Sequence, residues 1–106
     1  MTDAELLTLL EYNLELIMDY MDADSKAAKE AELTQYINSA KAFITTEGVT
    51  LDMTRIDDCQ LIIMYASWMY EKRKGQSSYN SQYNGGMPRM LRWALNNRLF
   101  SQKVGE

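Results

Sequence analysis

The sequence predicts an all-α protein: a compact bundle of about four helices, with a long central third helix and a short carboxy-terminal helix that follows a mobile loop. Three observations predict this class. Apolar residues recur at three- and four-residue steps through most of the chain. A single proline, five glycines and eight methionines suit helices better than a turn-rich β fold. The run from Cys59 to Tyr70 (CQLIIMYASWMY) is apolar or aromatic everywhere except Gln60 and Ser67, and so covers every side of a helical wheel. At 106 residues, 46% hydrophobic and 25% charged, the chain makes one domain over 1–106 with a core of modest size.

The first helix is expected at about 3–21. Thr2 and Glu5 form a capping box at its start, and Leu7, Leu10, Leu14, Ile17, Met18 and Met21 follow at helical steps. A second helix over 25–46, capped by Asp24 or Ser25, turns Leu33, Ile37, Ala40 and Ile44 inward and stops at Gly48. Residues Val49 to Met53 alternate apolar and polar as a short extended connector.

The third helix, at about 54–74, takes Thr54 as its cap and Asp57 in its first turn. Lys72, Arg73 and Lys74 complement the dipole at its other end, and Gly75 closes it. It is the expected organising element, with Cys59, Ile62, Ile63, Ala66, Met69 and Tyr70 on the face that the first two helices bury. Leu61, Tyr65 and Trp68 lie opposite, and a strip of this kind on a monomer is a liability, so it is expected to meet a neighbouring subunit. Residues 75–87, with the uncharged stretch QSSYNSQYNGG, read as a mobile loop. The fourth helix, at 88–100, opens on Pro88 and carries Met90, Leu91, Ala94, Leu95, Leu99 and Phe100 among Arg89, Arg92 and Arg98.

The composition narrows the function. With no histidine and only Cys59, no disulfide framework and no zinc or haem ligand set is available, and no cofactor is expected. The start, MTDAELL, lacks a signal peptide's basic region, and the apolar run of the third helix is too short to span a bilayer, which predicts a soluble, unexported protein without a membrane partner. The net charge of -4 is unevenly spread: residues 1–58 hold thirteen acidic against four basic groups, and residues 59–106 hold two against seven. Surfaces of opposite sign suit head-to-tail contact between copies and equally suit nucleic-acid binding by the basic half.

Individual signals each have a plainer reading. Asp57 and Asp58 would serve as acid and base or as metal ligands, but a helix amino-terminal turn accounts for them. Cys59 beside Leu61 and Ile62 behaves as a small buried hydrophobe rather than a reactive thiol. Trp68 and the tyrosines would stack on bases, yet on an apolar helix core or subunit contact is favoured. Arg89, Arg92 and Arg98 would grip phosphates, against a solvated face or contact with an acidic partner. The loop with Tyr79, Asn80, Tyr83 and Asn84 reads as linker or as an adaptable contact surface. No nucleophile with a base, phosphate-binding glycine loop or carboxylate pair in a cleft is evident, so no enzymatic activity is expected.

The order of segments AELTQYINSAKAFITTEG, IDDCQLIIMYASWMYEKRKG and MPRMLRWALNNRLF resembles the small all-helical head-tail connector proteins of tailed bacteriophages, also called adaptor or head-completion proteins. The resemblance covers nearly the whole chain, and its most specific part is Trp68, Tyr70, Glu71 and Arg73 leading into glycine. It implies a structural protein of the virion neck, assembled in the host cytoplasm as a homo-oligomeric ring beneath the portal protein. Such a ring extends the DNA channel and supports the tail or stopper protein, while DNA passes through without specific binding. On this reading Arg92, Trp93, Arg98, Leu99 and Phe100 would dock on the portal, and Asp19, Asp22, Asp24, Glu30 and Glu32 would face the channel, where carboxylates repel phosphate. The alternative is a small nucleic-acid-binding or regulatory module that works through the basic last helix, and a helical chaperone for a partner protein is a third reading.

Overall fold

A computed structural model describes residues 1–73 and 87–105. Among these residues there are four helices and no strand: α1 (Asp3–Asn13), α2 (Ala23–Thr46), α3 (Ile56–Arg73) and α4 (Arg89–Gly105). The all-α class holds, and α3 is the central element, packed against each of the other three. The expected Gly75 stop and the polar loop fall mainly at 74–86, outside the described residues.

The capping box forms as the sequence requires, with Glu5 N–H donating to the Thr2 hydroxyl at 3.2 Å and Thr2 N–H donating to the Glu5 carboxylate at 2.7 Å. The helix ends at Asn13, however, eight positions short of the expected Met21. Glu15 adopts φ 58°, and Glu15 N–H and Leu16 N–H donate to the Tyr12 and Glu11 carbonyls, both at 3.0 Å. That is a Schellman stop built without glycine. Beyond it Met18 plugs into the interior from an irregular connector, while Ile17 and Tyr20 face outward.

Helix α2 begins two positions earlier than expected, because Asp22 rather than Asp24 or Ser25 is the cap: its carboxylate accepts from Ser25 N–H at 2.7 Å. Leu33, Ile37, Ala40 and Ile44 are buried as predicted. Gly48, at φ 114°, closes the helix in the same way, with Gly48 N–H donating to the Thr45 carbonyl at 3.0 Å and Val49 N–H to the Ile44 carbonyl at 3.2 Å. The extended connector expected over Val49 to Met53 is instead an irregular link at 49–52 that runs into a turn at 53–54.

The start of α3 also differs from expectation. Thr54 does not cap it; its hydroxyl donates to Asp52 at 2.6 Å in a turn just before the helix. Of the predicted core face, Cys59, Ile62, Ile63, Ala66 and Tyr70 are buried and Met69 is half-buried. Ile62 is wholly enclosed, a burial that contributes about 1.5–3 kcal/mol. Helix α1 runs alongside α3 in the same direction, tied by the Met1 ammonium on the Met53 carbonyl at 2.6 Å and by Asn13 donating to Ser67 at 2.7 Å. Helix α2 runs the other way, with Phe43 stacked on Tyr65 and Tyr36 edge-on to Tyr70. Helix α4 continues five residues past the expected Phe100, because Gln102 is still needed: its amide accepts from Thr50 N–H at 2.8 Å and donates to the Gly48 carbonyl at 2.9 Å.

Candidate protein-interaction site

The rotation of α4 about its axis is fixed by a buried charge pair. Asp58, in the first turn of α3, is completely enclosed, and Arg98 is 7% exposed. The guanidinium grips the carboxylate with two hydrogen bonds, from Nε to Oδ1 and from Nη2 to Oδ2, the latter at 3.1 Å. Nη2 also donates to the Thr50 carbonyl at 3.2 Å, and Asp58 accepts from Asp52 N–H at 2.8 Å. An ion pair tolerates burial only when its remaining valences are met in this way. The expectation that Arg98 docks on a partner or grips phosphate is therefore corrected, and Asp58 is a tertiary anchor rather than a helix-end carboxylate. The sequence held a signal for both: Arg98 sits in register with the apolar stripe Leu91 and Leu95, and Asp58 with Leu61 and Ile62.

With Arg98 turned inward, the opposite face of α4 is open. Met90, Trp93, Phe100 and Val104 are 69%, 63%, 66% and 64% exposed, and Asn97 lies exposed among them. These five residues follow one another at steps of three, four, three and four, the spacing of a helix-pairing seam. Of the residues expected to act together in docking, Trp93 and Phe100 are thus on the surface. Leu99 is half-buried, its Cδ2 lying 3.4 Å from where a side chain at Gly48 would begin, and Arg92 pairs with Glu47 at 3.0 Å.

Of the strip expected to meet a neighbour across α3, Leu61 is buried within the chain, while Tyr65 and Trp68 are half-buried. Leu61 lines a groove of about 350 Å³ together with Trp93, Ala94 and Asn97 of α4. Tyr65 stacks on Phe43 with ring centres 4.6 Å apart, and Trp68 meets Tyr65 edge-on at 5.6 Å beneath the Lys72 ammonium. The apolar helix is accommodated here because α4 packs on it beside α1 and α2.

Comparison with known proteins finds no family, no curated protein and no solved structure that matches this chain. The reading of the site rests on its own geometry.

The acidic residues are dispersed. Asp19 and Asp24 are exposed, Asp22 is the α2 cap, and Glu30 and Glu32 are half-buried on α2, with Glu32 joined to Lys29 at 3.3 Å. The Ser25 N–H holds the Asp22 carboxyl below its ordinary range. Asp57 is pulled down to about 2, chiefly by the Arg55 guanidinium, whose bonds to it measure 2.9 and 2.7 Å. Burial pushes the Cys59 thiol up, and its Sγ donates to the Met53 carbonyl at 3.4 Å. Among the described residues no cluster of cysteine and carboxylate side chains is arranged to hold a metal ion, and no helix is long and apolar enough to cross a membrane.

Proposed function

We propose that this chain is a structural connector of a tailed-phage head: it assembles as a ring beneath the portal, extends the DNA channel and receives the tail or stopper protein. The observation that carries the reading is the state of α4. This helix is locked to the bundle through Arg98 and Gln102 while four large apolar side chains on its other face are open to solvent. A rigid apolar helix face of this kind marks a protein contact. Resemblance of nearly the whole chain to the connector family gives that contact its setting, and the acidic first half and basic second half supply surfaces of opposite sign for assembly.

The nucleic-acid reading draws less support. It requires a clustered cationic face, yet Arg98 is buried on Asp58 and Arg92 is engaged by Glu47, which leaves Arg89 as the exposed arginine of α4. The test is to co-express the chain with the portal protein encoded at the same locus and to image the portal by electron microscopy. A ring of added density at the portal vertex, with negligible affinity of the chain for duplex DNA at low salt, is expected. Bare portals, or tight and steeply salt-dependent DNA binding, would overturn the reading.

A further inference from the structure

We infer that the groove between α3 and α4 binds a short extended segment of a partner protein, with an apolar side chain against its floor and a main-chain carbonyl on the Arg98 guanidinium. The inference rests on the reading of α4 as a protein-contact helix and gives the chemistry of what its inner edge takes.

Arg98 has donors to spare. A guanidinium carries five N–H groups, and three of them are spent, through Nε and Nη2, on the Asp58 carboxylate and the Thr50 carbonyl. Among the described residues Nη1 donates to no one. No enclosed side-chain nitrogen or oxygen among those residues lacks a partner, so Nη1 is not sealed in, and it meets open space where Arg98 lines the groove. A side chain only 7% exposed thus keeps a donor for an occupant, in surroundings where water is already largely excluded.

The rest of the groove selects an uncharged, partly apolar occupant. Leu61, Met64, Trp93 and Ala94 make its apolar surface, in a volume of about 350 Å³. Asp57 lines it too, already paired with Arg55 as Arg98 is with Asp58. With each charge balanced by its own neighbour, a free anion would be repelled by Asp57 and a free cation by Arg98. The exposed amides of Gln60 and Asn97 stand one on each helix, able both to donate and to accept.

An extended peptide meets these requirements. It carries free carbonyl and N–H groups along its edges and side chains that alternate between its faces. A docking helix does not, because its carbonyls are bonded within the helix. The lining residues run from Asp57 to Met64 on α3 and from Trp93 to Ser101 on α4. That is about 10–12 Å at 1.5 Å per helical residue, a length that three or four extended residues cover at about 3.3 Å each.

Titration of a capped peptide, N-acetyl-Ala-Leu-Ala-amide, into the isotope-labelled full chain tests it by nuclear magnetic resonance. The side-chain nitrogen signals of Gln60, Trp93, Asn97 and Arg98 should shift together and saturate, while the methyl signals of Met90 and Val104 on the outer face of α4 stay in place. Replacing the internal amides of the peptide one at a time by a trans-alkene should weaken binding about tenfold at one of them, where the acceptor for Nη1 is lost. Ala94→Met, which fills the groove from a half-buried position, should weaken it by a similar factor, with circular dichroism showing that the variant is folded; if it is not, the alkene series decides. No shift up to the solubility limit of the peptide overturns the inference. So does equal binding of every alkene form, which would leave an apolar patch only, or tighter binding of the peptide with a free carboxylate, which would make the groove an anion site. Shifts led by Met90 and Val104 would overturn it in favour of the outer face. Peptide binding alongside bare portals in the electron-microscopy test would sustain the groove and count against the connector reading alone.

Discussion

Asp58 and Arg98, forty residues apart in the chain, form a buried pair that joins the first turn of α3 to the middle of α4. The bond does more than close a tertiary contact. By committing the Arg98 side of α4 to the interior, it commits Trp93 and Phe100 to solvent, and so sets the face that the proposed assembly uses.

Breaking this pair from one side leaves an uncompensated buried charge. Arg98→Met and Asp58→Leu should each cost about 3–5 kcal/mol, whereas the double variant should recover most of the loss, since a buried pair is often replaceable by apolar side chains. Urea denaturation of the four proteins measures it. Additive losses in the double variant would contradict the coupling.

A second prediction concerns the two helix stops. Glu15 at φ 58° is in a conformation that costs an L-residue roughly 1–2 kcal/mol, offset in part by the greater freedom that glycine has when unfolded. Glu15→Gly should raise stability by about 0.5–1 kcal/mol, seen as a melting temperature a few degrees higher. Gly48→Ala should do the reverse, because φ is 114° there and Leu99 Cδ2 lies 3.4 Å from the new atom. An unchanged melting temperature for both would contradict the backbone account.

These stops also show where the sequence was legible. Leu33, Ile37, Ala40, Ile44 and Gly48 state the face and the end of α2 directly, since period and stop coincide. The end of α1 is hidden, because Leu14, Ile17 and Met18 keep the helical period across a turn made by glutamate. In Asp22-Ala23-Asp24-Ser25 three residues can cap, and only the backbone decides that Asp22 does. The orientation of α4 was legible only in part, for a different reason. Arg98 shares the register of Leu91 and Leu95, but both faces of the helix carry apolar residues, and the partner that draws Arg98 inward lies forty residues away. Leu61 was misplaced for the same reason, because its cover is the rotated α4.

Acid should weaken the fold over a defined range. Asp22, Asp52 and Asp57 all titrate below their ordinary 3.8, Asp57 at about 2. A carboxylate lowered by folding contributes stability that is complete above its unfolded value and is lost as pH falls through its folded one. Stability should therefore decline from about pH 4 downward to about pH 2, and Asp57→Asn should flatten part of that slope. Glu11, raised by partial burial and then by Glu30, works in the opposite sense just above this range. A urea midpoint that does not fall between pH 4 and 2 would contradict the assignment.

Cys59 should be inert in the folded chain. Its thiol is buried and its pKa raised by that burial, so little thiolate is present at neutral pH. A chromogenic disulfide reagent should label it at the rate of global opening and at once in denaturant. Fast labelling of the native protein would place it outside the core.

The most direct test of the central claim is native mass spectrometry of the purified full chain across a concentration series, with electron microscopy of the largest species. The account predicts a passage from monomer to one closed ring of fixed subunit number with a central opening. An unlimited ladder of open oligomers, or a monomer at every concentration with and without the portal, would contradict it.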